Sequence, residues 1–280
     1  MAVLPAHAAM KDASLTTDAR IKLSIRDLHH SFGSFQALSA VSLDIADGEF
    51  VCILGASGCG KSTLFNAVSG LLKPSSGRIL LDGRDIAGRP GEVGYMLQKD
   101  LLLPWRTVLG NITLGASLTR GATQADRARA AELARHYGLG DFLRHYPRAL
   151  SGGMRQRVAL MRTIAAGRDL MLLDEPFGAL DSQTRMGMQQ WLLTIWKELN
   201  RTVMFVTHDV DEAIFLADRV VVMRPRPGRI GWIVDIPIAR PRTMECLTSE
   251  LFVQTKRRIM EMLYSEATLT GVPGGLAVPA

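Results

Sequence analysis

Short apolar runs and amphipathic stretches alternate along most of the chain. Runs with partial period-two alternation, or with unbroken apolar character, are typical of half-buried and fully buried strands. They predict strands at 21–32, 40–54, 76–83, 170–175, 202–209, 219–223 and 231–237. Helical spacing predicts a helix that ends near residue 72, and further helices at about 182–200, 210–218 and 248–264.

The segment from about residue 99 to residue 168 has a helical pattern throughout. Within it, Ala130, Leu133, Ala134 and Tyr137 fall on one stripe. We interpret the segment as a helical insertion. On either side of it strands alternate with helices, which predicts an α/β fold with a mostly parallel sheet covered on both faces.

The chain divides into three parts that differ in composition and residue pattern. Residues 1–20 lack the charged start and apolar middle of a secretory signal and are expected to form a loosely ordered arm. Residues 21–235 carry the strands and the insertion. Residues 236–280 form a C-terminal extension with one helix, and its tail, 270–280, is too rich in Gly and Pro for regular structure.

Composition narrows the class of protein only slightly. No apolar run approaches the roughly 18 to 20 residues that cross a bilayer, so the chain is not expected to span a membrane. The cysteines Cys52, Cys59 and Cys246 have no metal-ligand spacing and cannot all pair, which fits a reducing cytosol. A net charge of +6 is compatible with nucleic acid, an anionic membrane surface or no particular partner, and the spread of the basic residues along the chain favours the last.

The stretch "GASGCGKST" (55–63) fits the pattern G-x-x-x-x-G-K-[ST] and lies between a buried strand and a helix. Glycines let backbone N–H groups point inward, and the helix start adds partial positive charge, so phosphates can bind there. Lys61 is expected to reach the β- and γ-phosphates and Ser62 to hold Mg²⁺. The alternative is a glycine turn with an exposed lysine. The predicted nucleotide-binding residues of this loop are Gly55, Ser57, Gly58, Cys59, Gly60, Lys61, Ser62 and Thr63.

The strand "LMLLDEP" ends in two adjacent carboxylates, Asp174 and Glu175. Burial of two acids side by side is costly unless a cation or a reactive group uses them. Because strand side chains alternate between faces, Asp174 is expected to face Mg²⁺ and Glu175 to face a water that attacks the γ-phosphate. A general base of this kind typically contributes about 10²- to 10⁴-fold in rate. The alternative is a strand end with two ordinary surface acids.

A second glycine-rich helix start lies at Ser151, Gly152 and Gly153, in "LSGGMRQR". Its free N–H groups and small hydroxyl suit an anion. Capping explains the serine but not two successive glycines. Since only the loop at 55–63 has the Lys, Ser and acids for Mg²⁺ and hydrolysis, this second start is expected to close on a nucleotide held by another copy, head to tail.

These motifs, in this order, resemble the ATP-binding subunits of ABC transporters over about residues 21–235. The resemblance rests on the loop at 55–63, Gln98 in "YMLQKD", "LSGGMRQR", "LMLLDEP" with "GALD" (178–181), and "VTHD" with His208. It implies a P-loop NTPase core with an antiparallel β subdomain, and a helical insertion that carries the signature "LSGGMRQR". It also implies ATP and Mg²⁺ as cofactors and two ATP molecules between two copies of the chain.

The resemblance implies further roles for single residues. Phe32 stacks on adenine, Gln98 touches Mg²⁺ or the lytic water, His208 holds the γ-phosphate and Asp181 couples the two sites. Each residue also has an ordinary interpretation. Phe32 suits a strand-end core, Gln98 a polar loop, and His208 a surface or core histidine; Asp181 suits the cap of the helix that starts at residue 182.

The segment "DLLLPWRTVLGNI" (100–112) places leucines, Pro104 and Trp105 after Gln98. It is either an exposed interaction site or part of the insertion's own core. The resemblance implies contact with membrane-spanning permease subunits here, and the "LLPW" form is similar to the importer branch for nitrate, sulfonate and taurine. It further implies a peripheral location at the cytoplasmic face of the plasma membrane, an indirect solute-binding partner and no nucleic acid.

Two other function classes are weighed against transport. A soluble ABC-type ATPase of DNA repair or translation usually has long coiled-coil insertions or two cassettes in one chain, and this sequence shows neither. A binding module without turnover requires a broken acid pair or a lost lysine. Asp174, Glu175 and Lys61 are all intact.

Overall fold

The computed structural model describes residues 20–269, with side chains as far as residue 264. The expectations for the arm at 1–20, apart from Arg20, and for the tail at 270–280 lie outside the described residues. The strands are β1 Ile21–Phe32, β2 Phe35–Ala46, β3 Phe50–Leu54, β4 Ser76–Leu81, β5 Arg84–Asp85, β6 Gly94–Met96, β7 Leu170–Asp174, β8 Thr202–Thr207, β9 Arg219–Arg224 and β10 Arg229–Asp235. The helices are α1 Lys61–Val68, α2 Val108–Ile112, α3 Leu114–Thr119, α4 Gln124–His136, α5 Gly152–Ala165, α6 Ser182–Leu199, α7 Val210–Leu216 and α8 Glu250–Leu269.

The strands form two sheets. The larger has the order β10-β9-β3-β8-β7-β6, in which all neighbours are parallel except the edge pair β10 and β9. The smaller is antiparallel, with the order β2-β1-β4-β5. The predicted α/β class, with a mostly parallel sheet and an antiparallel subdomain, is therefore confirmed.

Both faces of the larger sheet are covered, as the unbroken apolar strands predict. Phe50, Cys52 and Leu54 of β3 pack into one apolar cluster with the insertion and the C-terminal helices. Val51 and Ile53 pack into the other with α1 and the smaller sheet. Because β3 is central and buried on both sides, the loop that follows it has a rigid base.

The predicted strand at 40–54 is wrong as a single element. The chain turns at Asp47 and Gly48, where Gly48 has φ of 75°. β2 then belongs to the smaller sheet and β3 to the larger one. An apolar pattern records that residues are buried but not against which sheet, so alternation alone could not reveal this break.

Other elements also differ from the predictions. α1 ends at Val68 rather than near residue 72, and Gly70 follows with φ of 76° in close contact with Arg89. The three-residue strand β6 has no detectable apolar run and was not predicted. In the insertion the first helix begins only at Val108, so the segment at 99–107 is irregular. The predicted stripe is confirmed, since Ala130, Ala134 and Tyr137 are buried.

Beyond β10 the chain continues into α8, which packs on α7. Phe252 and Ile259 of α8 are buried in the main apolar cluster. Within the part of the chain that the structure describes, no helix combines the length and apolar character needed to cross a bilayer.

Candidate nucleotide-binding site

The glycine loop lies where the sequence predicts, between β3 and α1. Gly60 has φ of 94°, and a Cβ there would lie 2.8 Å from Leu38 Cδ2 and 3.1 Å from the Ala37 carbonyl oxygen. At Gly55 a Cβ would lie 2.7 Å from Cys59 Sγ. Both positions therefore require glycine, and the curled backbone that a phosphate needs follows from the residues present.

Lys61 points back into this loop. Its side-chain ammonium donates to the carbonyl oxygens of Gly55 at 2.7 Å and Ala56 at 3.1 Å, and the residue is only 8% exposed. These bonds hold a positive charge inside the curl, so the alternative of an exposed lysine is wrong. Cys59 is 1% exposed, and burial raises the pKa of its thiol. It therefore fills space in the loop rather than acting as a thiolate.

The loop forms one wall of a cleft of about 560 Å³. Three further predicted residues line the other walls: Gln98, Glu175 and His208. They follow β6, β7 and β8, which lie side by side next to β3, so all four loops leave the same edge of the sheet. This edge is the usual place for ligands in parallel sheets. The complete lining is Phe32, Phe35, Ala37, Ser57, Gly58, Gly60, Lys61, Ser62, Thr63, Gln98, Glu175 and His208.

Phe35 and Ala37 were not predicted as site residues. Phe32 and Phe35 form a register pair at the hairpin that joins β1 and β2, and both are more than half exposed at the cleft. The exposure excludes the alternative of Phe32 as a core aromatic. The stretch "FGSF" (32–35) has an aromatic residue on each side of a glycine turn. This pattern could have predicted that both rings lie together at the cleft.

Asp174 and Glu175 have different surroundings. Asp174 is the last residue of β7 and is 9% exposed, and the Tyr95 hydroxyl donates to its Oδ2 over 3.4 Å. Burial, together with the neighbouring Glu175, raises the pKa of Asp174. Glu175 lies just beyond the strand with φ of 43°. The left-handed turn, rather than strand alternation, therefore separates the two carboxylates.

The Glu175 carboxylate is the meeting point of three loops. Its Oε2 accepts a hydrogen bond from Gln98 Nε2 at 3.2 Å and lies 3.2 Å from His208 Nδ1. The backbone N–H of Glu175 donates to Val206 in β8 at 3.0 Å. A carboxylate held in this way at the wall of a cleft can accept a proton from a bound water.

The structure does not bring Ser151, Gly152 and Gly153 into this cleft, since none of them is among its lining residues. Ser151 caps α5, its Oγ accepting from the Met154 N–H at 3.3 Å. A Cβ on Gly153 would lie 2.9 Å from Thr184 Cγ2, which gives this glycine a packing role. One on Gly152 would have only ordinary contacts, at 3.7 Å or more. Helix packing and capping thus leave Gly152 unexplained.

Asp181 is also absent from the cleft lining. Its Oδ1 accepts from the Thr184 N–H at 2.9 Å and caps α6, and this bond lowers the pKa of its carboxyl. The capping interpretation of Asp181 is therefore confirmed. Because Thr184 is also the neighbour of Gly153, Asp181 lies beside the N-terminus of α5.

The segment that follows Gln98 is partly exposed and partly buried. Trp105 is 71% exposed and Leu101 51% exposed, whereas Leu102 is buried. The buried side chain of Asn111 fixes the segment by hydrogen bonds to the backbone at Leu103 and at residues 106 and 107. The segment is therefore an exposed apolar surface at Leu101 and Trp105, and part of the packed interior at Leu102. Each of the two interpretations holds for part of it.

Comparison with known proteins agrees with this geometry. The family model for ABC transporters matches residues 38–178. The taurine import ATP-binding protein TauB of Rhizobium johnstonii is 49% identical over 204 residues, which cover 73% of this chain and 78% of that protein. An uncharacterized ABC transporter ATP-binding protein of Methanocaldococcus jannaschii is 43% identical over 252 residues, 88% of this chain and 93% of that protein. The dimeric structure of the bacterial ABC transporter cassette MJ0796 matches 78% of this chain and 100% of that chain, with 31% identity and a TM-score of 0.66.

Proposed function

Because the chain belongs to the ABC transporter family of ATPases, we propose that it is the subunit that powers an importer of a small solute. The cargo class is that of nitrate, sulfonates and taurine. In this proposal two copies of the chain sandwich two ATP molecules and bind membrane-spanning permease subunits at the cytoplasmic face of the plasma membrane. A solute-binding protein delivers the cargo to the permease.

The observation that carries the proposal is the position of Glu175 opposite the glycine loop. Lys61 and the N–H groups of the loop bind the phosphates, and Phe32 with Phe35 offers ring faces to the base. Glu175 accepts the proton of the attacking water while Gln98 and His208 hold its carboxylate in place. Hydrolysis is thereby linked to three loops that change their contacts when the γ-phosphate leaves.

The residues present fit Mg²⁺. Mg²⁺ binds to few protein oxygens and takes its other ligands from water and phosphates. In the part of the chain that the structure describes, no three His, Cys, Asp or Glu side chains group into a metal site. Ser62 and Gln98 line the cleft, and Asp174 is a buried carboxylate whose pKa is raised by burial and by the neighbouring Glu175. These residues would hold the ion, which would offset the charge of the phosphates.

The sandwich is supported by the signature serine and glycines. Ser151, Gly152 and Gly153 begin a helix with free N–H groups, yet lie outside the cleft of their own chain. A second copy in head-to-tail arrangement would place them on the nucleotide of the first. Asp181, beside the same helix start, would then lie at the interface of the two copies.

Contact with the permease is supported by the exposed apolar side chains of Leu101 and Trp105. They follow Gln98 directly, so a partner that moves this segment also moves a residue bonded to Glu175. The cargo class rests on the relatives, of which several are taurine import subunits, and on the "LLPW" stretch.

Reconstitution tests this proposal. The chain is co-expressed with a candidate permease, purified with it and placed in liposomes, and uptake of taurine, an alkanesulfonate and nitrate is measured with ATP. We expect ATP-dependent uptake of one of them, which Trp105→Glu abolishes while Leu118→Glu, at an exposed leucine of α3, leaves it intact. Stimulation of the ATPase by nucleic acid, in a salt-sensitive manner and without any bound permease, would overturn it.

A further inference from the structure

The short helix α7 sets the position of His208. Asp209 caps α7, accepting from the N–H groups of Asp211 and Glu212, and His208 is the residue immediately before this cap. His208 reaches Glu175 from that point, at 3.2 Å. A shift of α7 therefore displaces the imidazole from the carboxylate.

The last turn of α7 is held by arginines from the C-terminal extension. Arg242 is 7% exposed and donates to the carbonyl oxygens of Ile214, Phe215 and Ala217 at 2.6 to 3.1 Å. Arg240 donates to the Leu216 carbonyl oxygen at 2.6 Å. These bonds satisfy carbonyl groups that a helix end leaves without partners, and they fix one end of α7.

The first turn of α7 is held by two ion pairs from different helices. Arg185 of α6 lies 3.6 Å from Asp209, and it also donates to the Leu180 carbonyl oxygen at 2.9 Å. Lys256 of α8 donates to Asp211 Oδ2 at 2.7 Å. The second pair connects the extension directly to the turn that presents His208.

The pair of Lys256 and Asp211 is not part of the close-packed interior. A cavity of about 280 Å³ lies on one side and a groove of about 560 Å³ on the other, and both are lined by Asp209, Asp211 and Lys256. α8 is anchored independently through buried Phe252 and Ile259. The fold of α8 therefore does not depend on Lys256, although the first turn of α7 is held to α8 through it.

We propose that Lys256 is a positioning residue for ATP hydrolysis, which acts through Asp211 and α7 to keep His208 on Glu175. Together with Arg240 and Arg242, Lys256 allows the C-terminal extension to hold both ends of α7 in place. We call these three residues and their contacts with α7 the brace. This inference rests on the proposed function, in which His208 holds the carboxylate of Glu175 in place for ATP hydrolysis. The extension is then part of the catalytic apparatus, although it lies outside the nucleotide cleft.

The test compares Lys256→Met, Lys256→Arg and the matched control Arg257→Met, which removes a charge from an exposed position of the same helix. Steady-state kinetics give kcat and KM for ATP in the full chain. Carbon-13 labelling at the Cε1 atom of the histidines gives the NMR signal of His208, assigned through His208→Ala. We expect Lys256→Met to lower kcat about tenfold with KM unchanged, because small displacements of catalytic groups cost this much or more.

The same variant is expected to shift or split the His208 signal, and Lys256→Arg to restore both the signal and kcat. Arg257→Met should match the wild type. A wild-type kcat in Lys256→Met, or a reduced kcat with an unmoved His208 signal, would overturn the positioning role. If His208→Ala itself hydrolyses ATP at the wild-type rate, the proposed role of His208 fails first, and the brace fails with it.

Discussion

The helix starts of α1 and α5 are both rich in glycine, but their surroundings differ. At α1, Gly60 provides no side-chain cap, and Lys61 and the loop line a cleft that also contains Glu175 and His208. At α5, Ser151 caps the helix, and Ser151, Gly152 and Gly153 are not among the residues that line this cleft. The first start is therefore part of a cleft formed by its own chain, whereas the second lies outside that cleft, and the proposal of a second copy rests on this difference.

The largest expected effect concerns the cleft beside α1, which Glu175 lines. Glu175→Gln removes the proton acceptor while keeping the shape of the side chain, so turnover should fall by about 10²- to 10⁴-fold. ATP should still bind, since Lys61 and the loop are unchanged, and the variant should accumulate as a dimer in gel filtration with ATP. A variant that hydrolyses ATP normally, or stays monomeric with saturating ATP and Mg²⁺, would contradict both the base and the sandwich.

The next effect concerns the α5 side. Gly152→Asp places a carboxylate where the phosphate of the other copy is expected, and the structure leaves room for its Cβ. Turnover should fall by about 10²-fold, comparable to the loss of one preorganised group for a developing charge. The fold should be retained, since an acid suits a helix start.

The control for that variant is Gly187→Asp, at an exposed glycine of α6 where an added Cβ would meet no atom within 4 Å. It introduces the same charge on the neighbouring helix and should hydrolyse ATP at the wild-type rate. Equal turnover in Gly152→Asp and Gly187→Asp would mean that the glycine end of α5 has no role in ATP hydrolysis.

A smaller effect is expected from the two aromatic rings at the cleft, those of Phe32 and Phe35. Stacking of a base on an aromatic ring is commonly worth about 1 to 3 kcal/mol, so Phe32→Ala should raise KM for ATP roughly 5- to 150-fold with little change in kcat. The same measurement on Phe35→Ala ranks the two rings. An unchanged KM in both variants would show that the cleft binds no base there.

The smallest effect on turnover is expected from Asp126 in α4, which belongs to the same insertion as the signature. Hydrogen bonds from Arg120 and Thr123 hold the pKa of Asp126 well below its usual range. Its stabilising contribution is therefore fully present above about pH 4 and is lost as the pH falls further.

Asp126→Asn should consequently lower the melting temperature at pH 7, and the difference from the wild type should shrink below about pH 4. Turnover at room temperature should not change, since the glycine end of α5 is untouched. Thermal unfolding at several pH values measures this. A loss of turnover as large as that of Gly152→Asp would mean that the whole insertion, rather than its glycine end, determines activity.

Sequence reasoning was most successful where the signal is local. The loop at 55–63 follows from its own spacing, because the strand, the turn and the helix are adjacent in the chain. The meeting of Gln98 and His208 at Glu175 follows from strand order, which periodicity does not contain. The family resemblance implied that both residues act at the nucleotide, but it did not predict these contacts with Glu175.

Other features depend on contacts between distant segments and were missed. Gly153 is small because Thr184 of α6 lies against it, and Tyr95 is placed against Asp174 by the pairing of β6 with β7. Neither contact can be predicted from the spacing of residues along the chain. The role of Lys256 likewise required the position of α8 on α7.

The most direct test is chemical cross-linking between two differently tagged chains, one with Ser57→Cys in the glycine loop and the other with Ser151→Cys at α5. Both carry Glu175→Gln to retain ATP, and the natural cysteines Cys52, Cys59 and Cys246 are replaced. With ATP and a short thiol-to-thiol linker, we predict a covalent product that contains both tags and does not form without ATP. If no mixed product forms with ATP, the head-to-tail sandwich is contradicted. It is also contradicted if a single chain that carries both Ser57→Cys and Ser151→Cys forms only an internal link.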